Sequence, residues 1–129
     1  MLKIDEDIPF INKPWGYERI FAQTDTYVGK YIFIQAGEKL SRQYHQLKDE
    51  TVYVLSGPFH LEIGPSPENE EIVTLSMHAG EAYHVQSGAI HRFCAPPDND
   101  VELIEVSTPE LEDVVRLEDK YNRILGIEA

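Results

Sequence analysis

Apolar positions fall in short runs rich in Tyr, Ile, Val and Phe, and glycine or proline separates one run from the next. Tyr17 to Ala22 is one such run, and Tyr27 to Gln35 is the next, bounded by Gly37. Leu40 to Gln46, Glu50 to Leu55, Phe59 to Ile63 and Ile72 to Met77 follow. Glu81 to Val85, Ala89 to Cys94 and Val101 to Ser107 complete the series. The breaks are Gly57-Pro58, Gly64-Pro65-Ser66-Pro67, Ser87-Gly88 and Pro96-Pro97-Asp98-Asn99, all favourable to turns. Many short strands at regular spacing predict an all-β sandwich or barrel. Helical periodicity is missing until Leu111 to Leu125, where a turn or short helix is expected. Pro9 and Pro14 keep residues 1–13 from forming a regular helix, and this segment reads as an arm.

A chain of 129 residues is the size of one domain, with the arm at 1–13, a barrel at 14–107 and an extension at 108–129. Hydrophobic residues make up 42%, enough for a core. The formal charge of −12 argues against nucleic acid and anionic membrane as partners. It also repels an anionic ligand at long range, although screening over ~8 Å leaves room for a local basic pocket. No apolar run approaches a membrane span, and the acidic start MLKIDEDIPF lacks a signal-peptide core, so a cytoplasmic location is expected. The single Cys94 fits a reducing compartment and reads as a small core thiol.

The stretch GEKLSRQYHQLKDETVYVLSG, Gly37 to Gly57, carries the densest chemistry. Gln43 and His45 are two apart and therefore share one face of a strand. Glu50 opens the next run and meets them across a turn of Leu47, Lys48 and Asp49. A later stretch, GEAYHVQSGAIHRFCA from Gly80 to Ala95, offers His91 as a fourth ligand. An amide oxygen, two imidazoles and a carboxylate suit a borderline divalent cation and leave coordination positions open. Zinc is the first expectation, with iron, manganese, nickel or cobalt as alternatives.

The spacings in these two stretches resemble the two motifs of the cupin family. That resemblance implies a double-stranded β-helix, or jelly-roll barrel, holding one metal ion. Gln43 stands where many cupins have a first histidine, Gln86 where they have proline, and Ala95 where they have asparagine. The Gln-x-His form is similar to that of phosphomannose isomerases. KPWGYERI (13–20), GEKLSRQYH (37–45) and VVRLEDKYNR (114–123) resemble segments of the isomerase domain of the type II enzymes, so the match runs over nearly the whole chain. Gln46 and Leu47 depart from that pattern, where further histidines are usual, and Thr51-Val52-Tyr53 replaces an aromatic-rich run. Bifunctional members carry a preceding nucleotidyltransferase domain, and this chain starts too near the barrel for guanylyltransferase activity to be expected.

The resemblance implies interconversion of mannose 6-phosphate and fructose 6-phosphate through an enediolate, with a sugar phosphate as ligand and a homodimer as the assembly. Three residues are candidates for the remaining chemistry. His84 would serve as the base if it faced the cavity. Arg92, next to His91, would bind phosphate or an oxyanion if a bulge turned it inward. Lys39 lies four residues before Gln43, on the ligand face by strand phase, and is a candidate phosphate contact. Two rival readings remain: a non-catalytic sugar-binding cupin, favoured by the changes at 46 and 47, and an iron-dependent cupin oxygenase.

Overall fold

The computed structural model describes residues 4–69 and 71–121. Among these residues the chain forms β1 (Phe10–Lys13), β2 (Gly16–Gln23), β3 (Val28–Ile34), β4 (Arg42–Tyr44), β5 (Glu50–Ser56) and β6 (Phe59–Gly64). It continues with β7 (Val73–Met77), β8 (Ala82–Val85), β9 (Ile90–Cys94), β10 (Val101–Ser107) and β11 (Val115–Glu118). Each run expected as a strand is one of the strands from β2 to β10, with ends shifted by a residue or two at most sites.

Two antiparallel sheets close on each other. One has the order β1-β2-β3-β10-β5-β8 and the other β11-β4-β9-β6-β7. The inward row of each strand is apolar over most of its length. Ile32, Ile34, Val52, Val54, Phe59, Leu61, Phe93, Val101 and Leu103 are all buried between the sheets. Burying such side chains is worth roughly 1.5–3 kcal/mol each, and this term holds the sheets face to face. Phe59 and Phe93 meet edge to face at 5.4 Å between centroids, the arrangement aromatic quadrupoles favour.

Two segments differ from expectation. Part of the arm is a strand: β1 forms a hairpin with β2, pairing Lys13 with Gly16 across Pro14-Trp15. Gly16 is required there. Its φ of 152° is rare for L side chains, and a Cβ would lie 2.1 Å from the Phe33 carbonyl oxygen. Phe10 stacks on Tyr17 at 4.5 Å across the hairpin. At the other end, Leu111–Leu125 forms no helix among its described residues. It contains a turn and then β11, whose Val115 and Arg116 pair with Tyr44 and Gln43. Covering the edge of β4 satisfies backbone groups that a helix would leave exposed, so pairing overrides the weak helical pattern. Residues 122–125 of that expectation lie outside the described residues.

Candidate metal centre

Strand phase builds the site. In β3 the inward row runs Lys30, Ile32, Ile34; in β5, Glu50, Val52, Val54; in β10, Val101, Leu103, Glu105. Antiparallel pairing puts the three charged positions at one end of the barrel, with Glu105 opposite Lys30 and Ser107 opposite Glu50. From the facing sheet, β9 contributes His91, paired with Gln43 of β4, and His45 follows β4 directly. A polar ring thus replaces the apolar core at this mouth and lines a cavity of about 130 Å³.

His45 Nε2 lies 3.0 Å from Glu50 Oε1, and His91 Nε2 lies 3.1 Å from the same oxygen. One ligand atom from each of these residues falls within 4.8 Å of the others. Four-coordinate ligands about 2 Å from zinc are roughly 3.3 Å apart, and adjacent octahedral ligands are closer still, so this spacing fits a bound ion. The far side of each ring fixes its tautomer. His45 Nδ1 donates to the Asp113 carbonyl at 2.5 Å, and His91 Nδ1 donates to the Ala89 carbonyl at 3.0 Å. A carbonyl only accepts, so in its neutral form each ring turns an Nε2 lone pair toward Glu50 Oε1. Three acceptors converging without a proton between them repel one another, and a cation at their centre relieves that repulsion.

Glu50 divides its oxygens. Oε1 faces the histidines, while Oε2 lies 3.5 Å from Lys48 Nζ, which also reaches Glu105 Oε2 at 3.3 Å. Burial works against ionising Glu50, but its hydrogen bond with Glu105, the contacts of His45 and His91 with Oε1 and the Lys48 charge outweigh it and hold its carboxyl well below the usual range. Burial, and then the neighbouring Glu50 carboxylate, push the Glu105 carboxyl up. Desolvation opposes the Lys48 charge, yet Glu105 and Glu50 together keep its ammonium above the ordinary lysine value. Glu18 and Lys30 form a second buried pair on the cavity wall at 3.6 Å.

The loop from β10 to β11 crosses this mouth, and its Leu111 and Val114 line the cavity together with Arg116 of β11. Asp113 fastens it: its carboxylate accepts N–H bonds from Gln46 (3.1 Å), Leu47 (2.6 Å) and Lys48 (2.9 Å). Some desolvation opposes its ionisation, but these three donors hold its carboxyl below the usual range.

Of the seven residues singled out in the sequence, Gln43, His45, Glu50 and His91 come together on this cavity. The other three do not. His84 points outward from β8 and bonds Asp49 at 2.8 Å. Arg92 alternates with His91 along β9 without a bulge, so it faces the other side of the sheet. There it is buried, donating to the Leu40 carbonyl at 2.8 Å and to Glu118 at 3.3 Å. Lys39 joins Arg92 on that outer side, since the strand is interrupted at Leu40–Ser41 and the alternation slips before Gln43. The charged residues that do line the cavity, Lys13, Glu18, Lys30, Lys48, Glu105 and Arg116, carried one legible signal. Lys30 and Glu105 share the parity of buried apolar neighbours two residues away.

Two closed antiparallel sheets with a His–Glu–His cluster at one mouth define a cupin. More narrowly, the chain belongs to the family described as mannose-6-phosphate isomerase C-terminal, whose model matches residues 6–119. Mannose-1-phosphate guanylyltransferase ManC of Salmonella typhimurium is 35% identical over 88% of this chain and 23% of its own length. Mannose-1-phosphate guanylyltransferase 2 of Escherichia coli is 29% identical over 94% and 25%. The chain therefore spans about a quarter of these curated relatives, which are enzymes. Among solved structures, the capsular polysaccharide assembling protein CapF of Staphylococcus aureus superposes with a TM-score of 0.78 at 19% identity, over 88% of this chain and 35% of that one. An RmlC-like cupin from Shewanella frigidimarina gives 0.68 at 20%, over 86% and 92%. Both likenesses are of fold. No helix among the described residues is long and apolar enough to cross a membrane.

These findings correct the expected reaction. The curated relatives are named for mannose-1-phosphate guanylyl transfer or for xanthan and alginate biosynthesis, and none bears an isomerase name. The geometry agrees: His84, Arg92 and Lys39 are off the cavity, and each carboxylate lining it is already engaged by a lysine or a histidine. The interconversion of mannose 6-phosphate and fructose 6-phosphate is not carried to this chain.

Proposed function

We propose that the chain is a metal-holding cupin domain that binds a phosphorylated mannose at the mouth of the barrel and leaves the sugar skeleton unchanged. The observation that carries this reading is the convergence of His45, Glu50 and His91, each ring turned by a backbone carbonyl so that its lone pair faces inward. Gln43, paired with His91 and lining the same cavity, supplies the fourth ligand. Zinc suits this set best, with iron, manganese, nickel or cobalt as alternatives. A divalent ion bound there would act as a Lewis acid toward a sugar oxygen.

A cavity of about 130 Å³ is small against the ~300–1,000 Å³ of ordinary ligand pockets, so only part of the sugar enters. Lys13 and Arg116 line it from β1 and β11, and they are the groups we assign to the phosphate. The mannose-1-phosphate chemistry named for the relatives supports this ligand class. We also infer a homodimer through the outer face of the six-stranded sheet, supported by exposed Tyr53, Leu55 and Val106 on adjacent strands β5 and β10.

The test combines elemental analysis with calorimetric titration of mannose 1-phosphate, mannose 6-phosphate and mannose into metal-loaded and chelator-stripped protein. One divalent ion per chain is expected, with phosphorylated sugar bound only when the ion is present. A metal-free protein, or a loaded one that ignores all three sugars, overturns the proposal.

A further inference from the structure

Asp113 touches both halves of the metal centre. Its backbone carbonyl takes the Nδ1 proton of His45, and its carboxylate takes three consecutive N–H groups, those of Gln46, Leu47 and Lys48. Those three residues form the turn that separates His45 from Glu50, so they set how the two ligands face each other. The same loop starts from a reciprocal tie, with Thr108 N donating to the Asp49 carbonyl and Asp49 N donating to Thr108 Oγ1, each at 3.0 Å. It then carries Leu111 and Val114 over the cavity. Loop, ligand turn and imidazole are therefore held by one side chain and its own carbonyl.

We propose that Asp113 is a positioning residue that couples closure of the 108–114 loop to the geometry of the metal ligands. The inference rests on the metal reading above. If His45 has the right tautomer and orientation only while Asp113 is seated, the ion prefers the closed loop. By linkage, the ion must then stabilise closure to the same degree. A loop that merely covered the barrel would close equally well with or without it.

Zn(II) affinity, measured by competition with a chromophoric chelator, should fall about 10–100-fold in Asp113→Ala. Asp113→Asn should fall between the two, because its one side-chain amide oxygen still accepts from part of the three donors while its NH2 cannot. In the wild-type protein, stripping zinc should accelerate amide exchange in both 46–48 and 108–114, with the core strands unaffected. Wild-type zinc affinity in a folded Asp113→Ala, or exchange in both segments that ignores zinc, overturns the coupling alone. Should Asp113→Ala fail to fold by circular dichroism, the asparagine variant and the wild-type exchange experiment decide. A wild-type protein that binds no divalent ion overturns the metal reading as well, and that is seen before any variant is made.

Discussion

Lys48 Nζ lies 3.5 Å from Glu50 Oε2, on the side of the carboxylate turned away from the two histidines. The ammonium therefore orients Glu50 without occupying the oxygen that a cation needs. It also lies between two buried carboxylates, since Glu105 is 3.3 Å away. Removing one partner from a buried pair costs about 3–5 kcal/mol, because a charge is stranded. Lys48→Met should destabilise the chelator-treated protein by that order in urea unfolding, and adding Glu105→Gln should recover part of the loss.

Metal content should follow the converging ligands and not the neighbouring basic residues. His45→Ala and Glu50→Gln should each leave the purified protein with little divalent metal by elemental analysis. Lys39→Ala should retain it in full, because Lys39 lies on the outer side of the sheet with Arg92.

Phosphate recognition should be lost from the cavity side. A hydrogen bond to a charged group is worth about 1.5–3 kcal/mol, so Lys13→Ala or Arg116→Ala should weaken sugar-phosphate binding roughly 10–100-fold. Unphosphorylated mannose should be insensitive to both changes. Calorimetry that finds the loss in Lys39→Ala instead would relocate the anion.

Cys94 should be chemically quiet. Burial, followed by the charge of Glu62, pushes its thiol up to about 12, and its S–H donates to Glu62 at 3.7 Å. At pH 8 the native protein then holds about three orders of magnitude less thiolate than an unfolded chain. A disulfide reagent should label it slowly in buffer and rapidly in urea.

Glu38 gives the chain an acid-sensitive tie. Hydrogen bonds from Lys120 and Tyr121 hold its carboxyl below the usual range. A depressed native value means that the unfolded state binds the proton more readily. The stabilisation is therefore complete above the ordinary glutamate range, near pH 4.5, and is lost as pH falls through the lower native value. The stability gap between the wild-type protein and Glu38→Gln should be present at pH 6 to 7 and shrink toward pH 3. A gap of constant size would assign the effect to packing.

Much of the architecture was legible because strand physics is local. The runs from Tyr17 to Ser107 match β2 to β10 with small shifts at their ends, whereas the hairpin that turns the arm into β1 was not foreseen. The spacing from Gln43 to Glu50 was informative too, since two residues apart means one face and a short turn carries the chain across to β5 of the facing sheet. Phase reasoning failed where the strand itself failed: the interruption at Leu40–Ser41 displaced Lys39. β11 was missed because pairing with β4 is a long-range event, and nothing in Val115–Glu118 alone announces it.

The amino-acid order alone determined the β-rich class, the positions of β2 to β10 and four candidate ligands that line one cavity, because alternation and turn chemistry act between near neighbours. Only the tertiary structure decided that Arg92, Lys39 and His84 turn away, that Lys48 and Glu105 are buried beside Glu50, and that Asp113 grips His45 from the far end of the chain. Those outcomes depend on register between strands and on which face a loop crosses. Such relations arise from packing the two sheets together and have no local signature.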